Sequence, residues 1–133
     1  MNILMLSERF FPEIGGVEKH TLEISKRIIQ EGHNLTIITN KPNDLIDNLE
    51  LDKRIMVCRI AYKNFILNWL KLLFFPYFLK KLKYYDIIHC HDFVTFYWIL
   101  PFILINRNIY ITFHGYETFP IPKIYVLMRK LAE

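Results

Sequence analysis

The chain opens on an apolar hexapeptide, "NILMLS" at Asn2 to Ser7, which runs into a loop containing Pro12, Gly15 and Gly16. A strand this continuously apolar lacks the alternation of a half-exposed strand, so both of its faces need cover. The chain supplies some at once. From Val17 to Glu31, residues Val17, Thr21, Ile24, Ser25 and Ile28 recur at helical spacing among Glu18, Lys19, Glu23, Lys26 and Arg27, and Gly32 closes the segment.

The same alternation continues downstream. "NLTIITN" at Asn34 to Asn40 and "IMVCRI" at Ile55 to Ile60 read as strands joined through a polar connection that contains Pro42. An apolar helix is expected around Leu67 to Lys83, a strand at Asp86 to His91 and a helix from about Phe93 to Ile105. A strand begins at Ile109 in "IYITFHG", and a last helix is expected from Ile121 to Glu133. Strands separated by helices form βαβ units, so the fold class is α/β, a Rossmann-like doubly wound parallel sheet. The last helix reaches "RKLAE" with no glycine, proline or further strand, and the expectation is one domain over residues 1–133 that is incomplete.

Composition limits the setting. In 133 residues, 53% hydrophobic content is ample for a core. A net charge of +4 suits phosphates, nucleic acid and acidic lipid headgroups alike. Two cysteines, Cys58 and Cys90, are too few for a disulfide scaffold, and the N-terminus lacks the basic flank and cleavage site of a signal peptide, so a cytoplasmic location is expected. Neither "FILNWLKLLFFPYF" at Phe65 to Phe78 nor "FVTFYWILPFILI" at Phe93 to Ile105 reads as transmembrane. The first is interrupted by Asn68, Lys71 and Pro76, and the second falls short of the roughly 20 residues that span a bilayer. The first, continuing into "LKKLKYY", mixes aromatics with lysines as a helix on the inner membrane surface would, though an ordinary half-buried helix has the same pattern.

Two stretches carry candidate chemistry. In "ERFFPEIGGVEKH", Glu8 to His20, a glycine pair separates a strand from a helix, which leaves backbone N–H groups and the positive end of the helix dipole free for a phosphate or carboxylate. The spacing is neither GxGxxG nor a P-loop, and two glycines that only turn the backbone give the same pattern. "DIIHCHD", Asp86 to Asp92, holds common metal ligands. Strand alternation puts His89 and His91 on one face and Cys90 on the other, so a metal would need further ligands such as Asp92 or His114, and none is expected. His91 and Asp92 fall at the strand's carboxyl tip, where open α/β sheets bind ligands. A strand order of 3-2-1-4-5 would bring Gly15, Gly16, His91 and His114 to one crevice.

"RFFPEIGGVEKHTLEISKRIIQEGHNLTIIT", followed by "YDIIHCHD" and "ITFHGYE", resembles the N-terminal domain of family 4 glycosyltransferases of the GT-B fold. The matching elements are the proline and glycine pair before the first helix, the glutamate and histidine in its first turn, "GH" before the second strand, the paired histidine, and "HG". The resemblance implies transfer of a sugar from a nucleotide-diphosphate donor, with retention of configuration and no cofactor or catalytic metal. It implies that Gly15 and Gly16 approach the donor phosphate or sugar and that His91 acts at the catalytic centre by positioning the donor sugar. His20, Asp92, His114 and Glu117 would lie on the acceptor side. The expected partners are a separate donor-binding domain and a glycan or lipid-linked acceptor, with no nucleic acid. His89 is expected to be a satisfied core histidine, and His33 to shape a turn. The family's donor-binding half has no counterpart in these motifs. A half-enzyme that needs a partner, a catalytically silent carbohydrate- or phosphate-binding module or gene remnant, and an unrelated phosphate-binding Rossmann-like protein all remain open.

Overall fold

A computed structural model describes residues 1–13, 15–41, 52–60, 82–100, 103, 108–115 and 120–132. Five strands, β1 (Asn2–Ser7), β2 (Asn34–Asn40), β3 (Ile55–Ile60), β4 (Ile87–His91) and β5 (Ile109–Thr112), form one sheet in the order β3-β2-β1-β4-β5. Every pairing is parallel. Among the described residues the helices are α1 (Gly16–Gln30), α2 (Phe93–Ile99) and α3 (Lys123–Ala132). This is the doubly wound order, 3-2-1-4-5, on which the expected crevice depended.

The apolar strands are covered on both faces, as their lack of alternation required. Ile3, Met5, Leu35 and Ile37 pack with Phe10 and with Ile29 of α1. Leu4, Leu6, Ile38, Ile88 and Cys90 pack on the opposite face with Leu82 and with Phe96, Trp98 and Ile99 of α2. Each fully buried Leu or Ile among them contributes about 1.5–3 kcal/mol relative to exposure. In register, Met5 lies opposite His89 and Ser7 opposite His91. The two histidines therefore project from the α1 face, and Cys90 from the α2 face.

α1 meets the sheet through a different stripe from the one its apolar residues suggest. Glu18, Thr21, Ser25 and Ile29 are buried, whereas Ile24 and Ile28 pack partly buried at the flank. The helix is rolled so that its small residues face β1, which lets the two backbones approach closely. The Thr21 and Ser25 hydroxyls donate to the Val17 and Thr21 carbonyls at 2.8 and 2.7 Å, so their burial leaves no donor unmet. Burial of Glu18 is the exception that points to the site.

The last helix starts at Lys123 rather than Ile121 because Pro122 disfavours helical backbone at the residue before it. α3 has no fully buried residue. It is held by the Tyr97 hydroxyl donating to the Met128 carbonyl (3.1 Å), by Tyr125 against Phe93, and by Arg129 over the Phe113 ring. Most of the helix expected at Leu67 to Lys83, the end of the one expected at Phe93 to Ile105, and Glu117 lie outside the described residues. Among those described, no helix is long and apolar enough to cross a membrane.

Candidate functional site

The chain leaves β1 toward β2 on one side and later returns to β4 on the other, so strand order reverses between β1 and β4. Beyond the carboxyl tips of such a pair the connections diverge and leave a crevice. Three segments meet there: the first turn of α1, the β4 tip at His91, and the residues after β5.

α1 begins at Gly16 with Gly15 as its N-cap, and no side chain caps it. The first helical bond runs from the Lys19 N–H to the Gly15 carbonyl (3.0 Å), so the N–H groups before it have no partner within the helix. Gly15 and Gly16 differ in what surrounds them. A Cβ on Gly15 would fall on the Glu18 carboxyl group, which folds back over the loop, whereas one on Gly16 would meet nothing. Gly16 faces open space at the end of the dipole, and Glu18 already occupies part of that positive field.

β4 passes into α2 through a single residue, Asp92, whose backbone lies at φ 77° and ψ 161°. That region is essentially reserved for glycine and costs about 1–3 kcal/mol when another residue occupies it. Asp92 offsets part of the cost by capping α2, its carboxylate accepting from the Phe93 N–H at 2.7 Å. The Thr95 hydroxyl donates to the His91 and Asp92 carbonyls (2.8 and 2.9 Å) and secures the same turn. At the neighbouring tip, Gly115 at φ 94° turns the chain just after His114 and holds that residue over β4.

Four of the chain's five histidines gather here. His91 is only 1% exposed. Its Nδ1 shares a hydrogen bond with His114 Nε2 at 2.9 Å, and the two rings lie edge to edge within 10° of parallel, their centroids 5.2 Å apart. His20, exposed on the first turns of α1, lies edge-on to His114 at 5.1 Å and to His91 at 6.0 Å. His89 sits one repeat deeper, its ring 4.4 Å from that of His91, with Nε2 bonded to the Thr112 hydroxyl at 2.8 Å. Among the described residues nothing satisfies Nε2 of His91.

Burial pushes the His91 imidazole down to about 3, and the neighbouring histidines add to the effect. His89 is lowered mainly by burial, as is His114, although Asp92 and Glu18 pull His114 the other way. At neutral pH these rings are uncharged. They can donate to and accept from hydroxyl groups but cannot neutralise a phosphate, a task left to the α1 N-terminus. Burial pushes the Cys90 thiol up to about 12, which removes it as a nucleophile.

Residues 14–132 match the sequence profile of Glycosyltransferase Family 4. The chain belongs to this family. Among relatives, a stretch of 61 residues is 34% identical to the phosphatidylinositol N-acetylglucosaminyltransferase GPI3 subunit of Saccharomyces cerevisiae, covering 46% of this chain and 14% of that protein. A stretch of 39 residues is 44% identical to one of the human phosphatidylinositol N-acetylglucosaminyltransferase subunits, covering 29% of this chain and 8% of that one. The aligned part thus spans a small fraction of either relative. The fold resembles that of sucrose-phosphate synthase from Thermosynechococcus elongatus, a GT-B glycosyltransferase, with a TM-score of 0.62 and 17% identity over 98% of this chain and 39% of that one.

In this family 4 chain the structure brings together Gly15, Gly16, His20, His91 and His114, with Asp92 close enough to act on His114. His33 lies apart, its N–H donating to the Ile28 carbonyl in the turn into β2. Glu18 and Thr112 belong to the site's surroundings; Glu18 is the first-turn glutamate of the family motif, but no site role was expected of either residue. The separation of Glu18 from Gly15 by one helical turn is the available signal for the first. Thr112 depends on the register of β4 with β5, which no local pattern encodes.

Proposed function

We propose that this chain is the acceptor-side domain of a retaining glycosyltransferase, which moves a sugar from a nucleotide-diphosphate donor to a lipid-linked or glycan acceptor and needs a donor-binding domain to do so. The observation that carries this reading is the crevice at the strand-order reversal, where the glycine-capped α1, His91 and His114 converge. In this reading His91 hydrogen-bonds the donor sugar as a neutral imidazole and fixes its orientation. The Gly15-Gly16 turn approaches the phosphate or reacting sugar from the Gly16 side, where space is open, and its N–H groups offset charge on the leaving diphosphate. His20, Asp92 and His114 contact the acceptor, and Glu117 is assigned there from the sequence motif alone. No resident cofactor is needed for these roles.

The names of the yeast and human relatives support an N-acetylhexosamine as the sugar and an inositol phospholipid as the acceptor class. Both are named as subunits, which supports a protein partner. The net charge of +4 supports work at an anionic membrane surface on the cytoplasmic side. Titration of the isolated chain tests this division of labour. It should bind vesicles containing phosphatidylinositol and show no tight binding of nucleoside diphosphates or nucleotide sugars. Tight nucleotide binding with no lipid binding contradicts the assignment and favours an independent phosphate-binding module.

A further inference from the structure

We propose that His20, His91 and His114 form a binding site for a divalent transition metal ion of the zinc class. The three come from separate elements, the start of α1, the tip of β4 and the residue before Gly115, yet each offers a ring nitrogen within 4.8 Å of the other two. Tetrahedral zinc with bonds of about 2.0–2.1 Å places its ligands roughly 3.4 Å apart. The pair at 2.9 Å must therefore open slightly, and any pair at the 4.8 Å limit must close by roughly 1.4 Å, which rotation of an exposed side chain supplies. His20 can supply it. It is exposed and stands at the edge of the cluster, whereas His91 is held in the sheet.

His91 supplies Nδ1, which already shares a hydrogen bond with His114 Nε2 at 2.9 Å, so the ion would take the place of the proton between these two nitrogens. Nε2 of His91, which has no partner among the described residues, is the ring's other nitrogen and is not the ligand atom. The surroundings also fit a cation. Asp92 and Glu18 lie near enough to His114 to act on it as negative charges, which favours a cation there. His89 is not one of the ligands, since its Nε2 is bonded to Thr112, and Cys90 points to the opposite face. Three imidazoles with no thiolate select zinc, nickel or copper over magnesium and calcium, and leave a fourth position for water or a hydroxyl group.

The ion would sit in the crevice assigned above to the sugar, so the two would compete. Binding itself does not depend on the transferase reading and is measured without it. The full chain, stripped with EDTA, is titrated with ZnCl2 against a chromogenic chelator, and with CoCl2 while the visible spectrum is recorded. One equivalent of Zn2+ should bind, with an intense tetrahedral Co2+ spectrum. His20→Ala and His114→Ala should each weaken binding by at least about tenfold, and His33→Ala should leave it unchanged. His20 is exposed, so its variant is expected to keep the native circular dichroism spectrum even if His91→Ala does not fold. Absence of Zn2+ binding overturns the proposal. So does binding with an octahedral Co2+ spectrum, or binding whose affinity is the same in wild type and His20→Ala.

Discussion

Burial of an uncharged His91 makes a defined prediction for stability in acid. An unfolded histidine titrates near 6.5, whereas His91 in the fold is held down to about 3. The unfolded state therefore takes up a proton over a range where the folded state does not. The contribution of this residue to stability is complete above about pH 6.5 and is lost as pH falls from there toward about 3. At pH 5 the loss relative to pH 7 is about 2 kcal/mol, and any folded value below about 4 gives the same figure because the unfolded group dominates. His89 and His114 are lowered too and act in the same direction. With a urea slope of about 1–3 kcal/mol/M, 2 kcal/mol moves the midpoint by about 1 M. The assay is urea unfolding of metal-free protein in EDTA at pH 7 and 5, for wild type and His91→Gln. Wild type should lose about 2 kcal/mol more than the variant between the two pH values. Parallel profiles for the two proteins, or a wild type that gains stability in acid, would refute the placement of His91.

The strained Asp92 turn predicts an inversion of the usual capping order. Asp92→Gly relieves about 1–3 kcal/mol of backbone strain, against a few tenths for the cap and about 0.4–1 for unfolded-chain entropy, so it should stabilise by about 1 kcal/mol. Asp92→Ala keeps the strain, loses the cap and should destabilise by about 1 kcal/mol; urea midpoints that fall equally for both would remove the strain argument. Gly16→Val should change stability by less than about 0.5 kcal/mol, since nothing lies near its Cβ, and still stop sugar transfer in the reconstituted enzyme. A thiol-reactive dye at neutral pH should label at most one of the two cysteines in the native protein and both after unfolding; rapid native labelling of Cys90 would contradict its burial.

The architecture was legible because its signals are local. Unbroken apolar strands demand two covered faces, and strand alternation alone separated Cys90 from His89 and His91. Gly15, Gly16, His91 and His114 could be placed at one crevice once the order 3-2-1-4-5 was assumed, and the sheet has that order. What escaped the sequence depends on how elements sit against one another. The roll of α1 selects Ile29 over Ile28 and buries Glu18 against Gly15, and helical spacing is compatible with either stripe. The gathering of His20 with His91 and His114 requires three elements to arrive with the right azimuth. The positive φ of Asp92 follows from the absence of any loop between β4 and α2, which no composition rule anticipates.

The central claim is that this chain supplies half of a glycosyltransferase site, with His91 orienting a sugar whose nucleotide is held by another domain. Its most direct test is transfer of labelled sugar from a panel of nucleotide sugars to phosphatidylinositol, with this chain alone and with a donor-binding partner domain added. Transfer should appear only with both parts, should be abolished by His91→Ala and should survive His33→Ala. No transfer with any partner and donor, or equal loss in the two histidine variants, would contradict it.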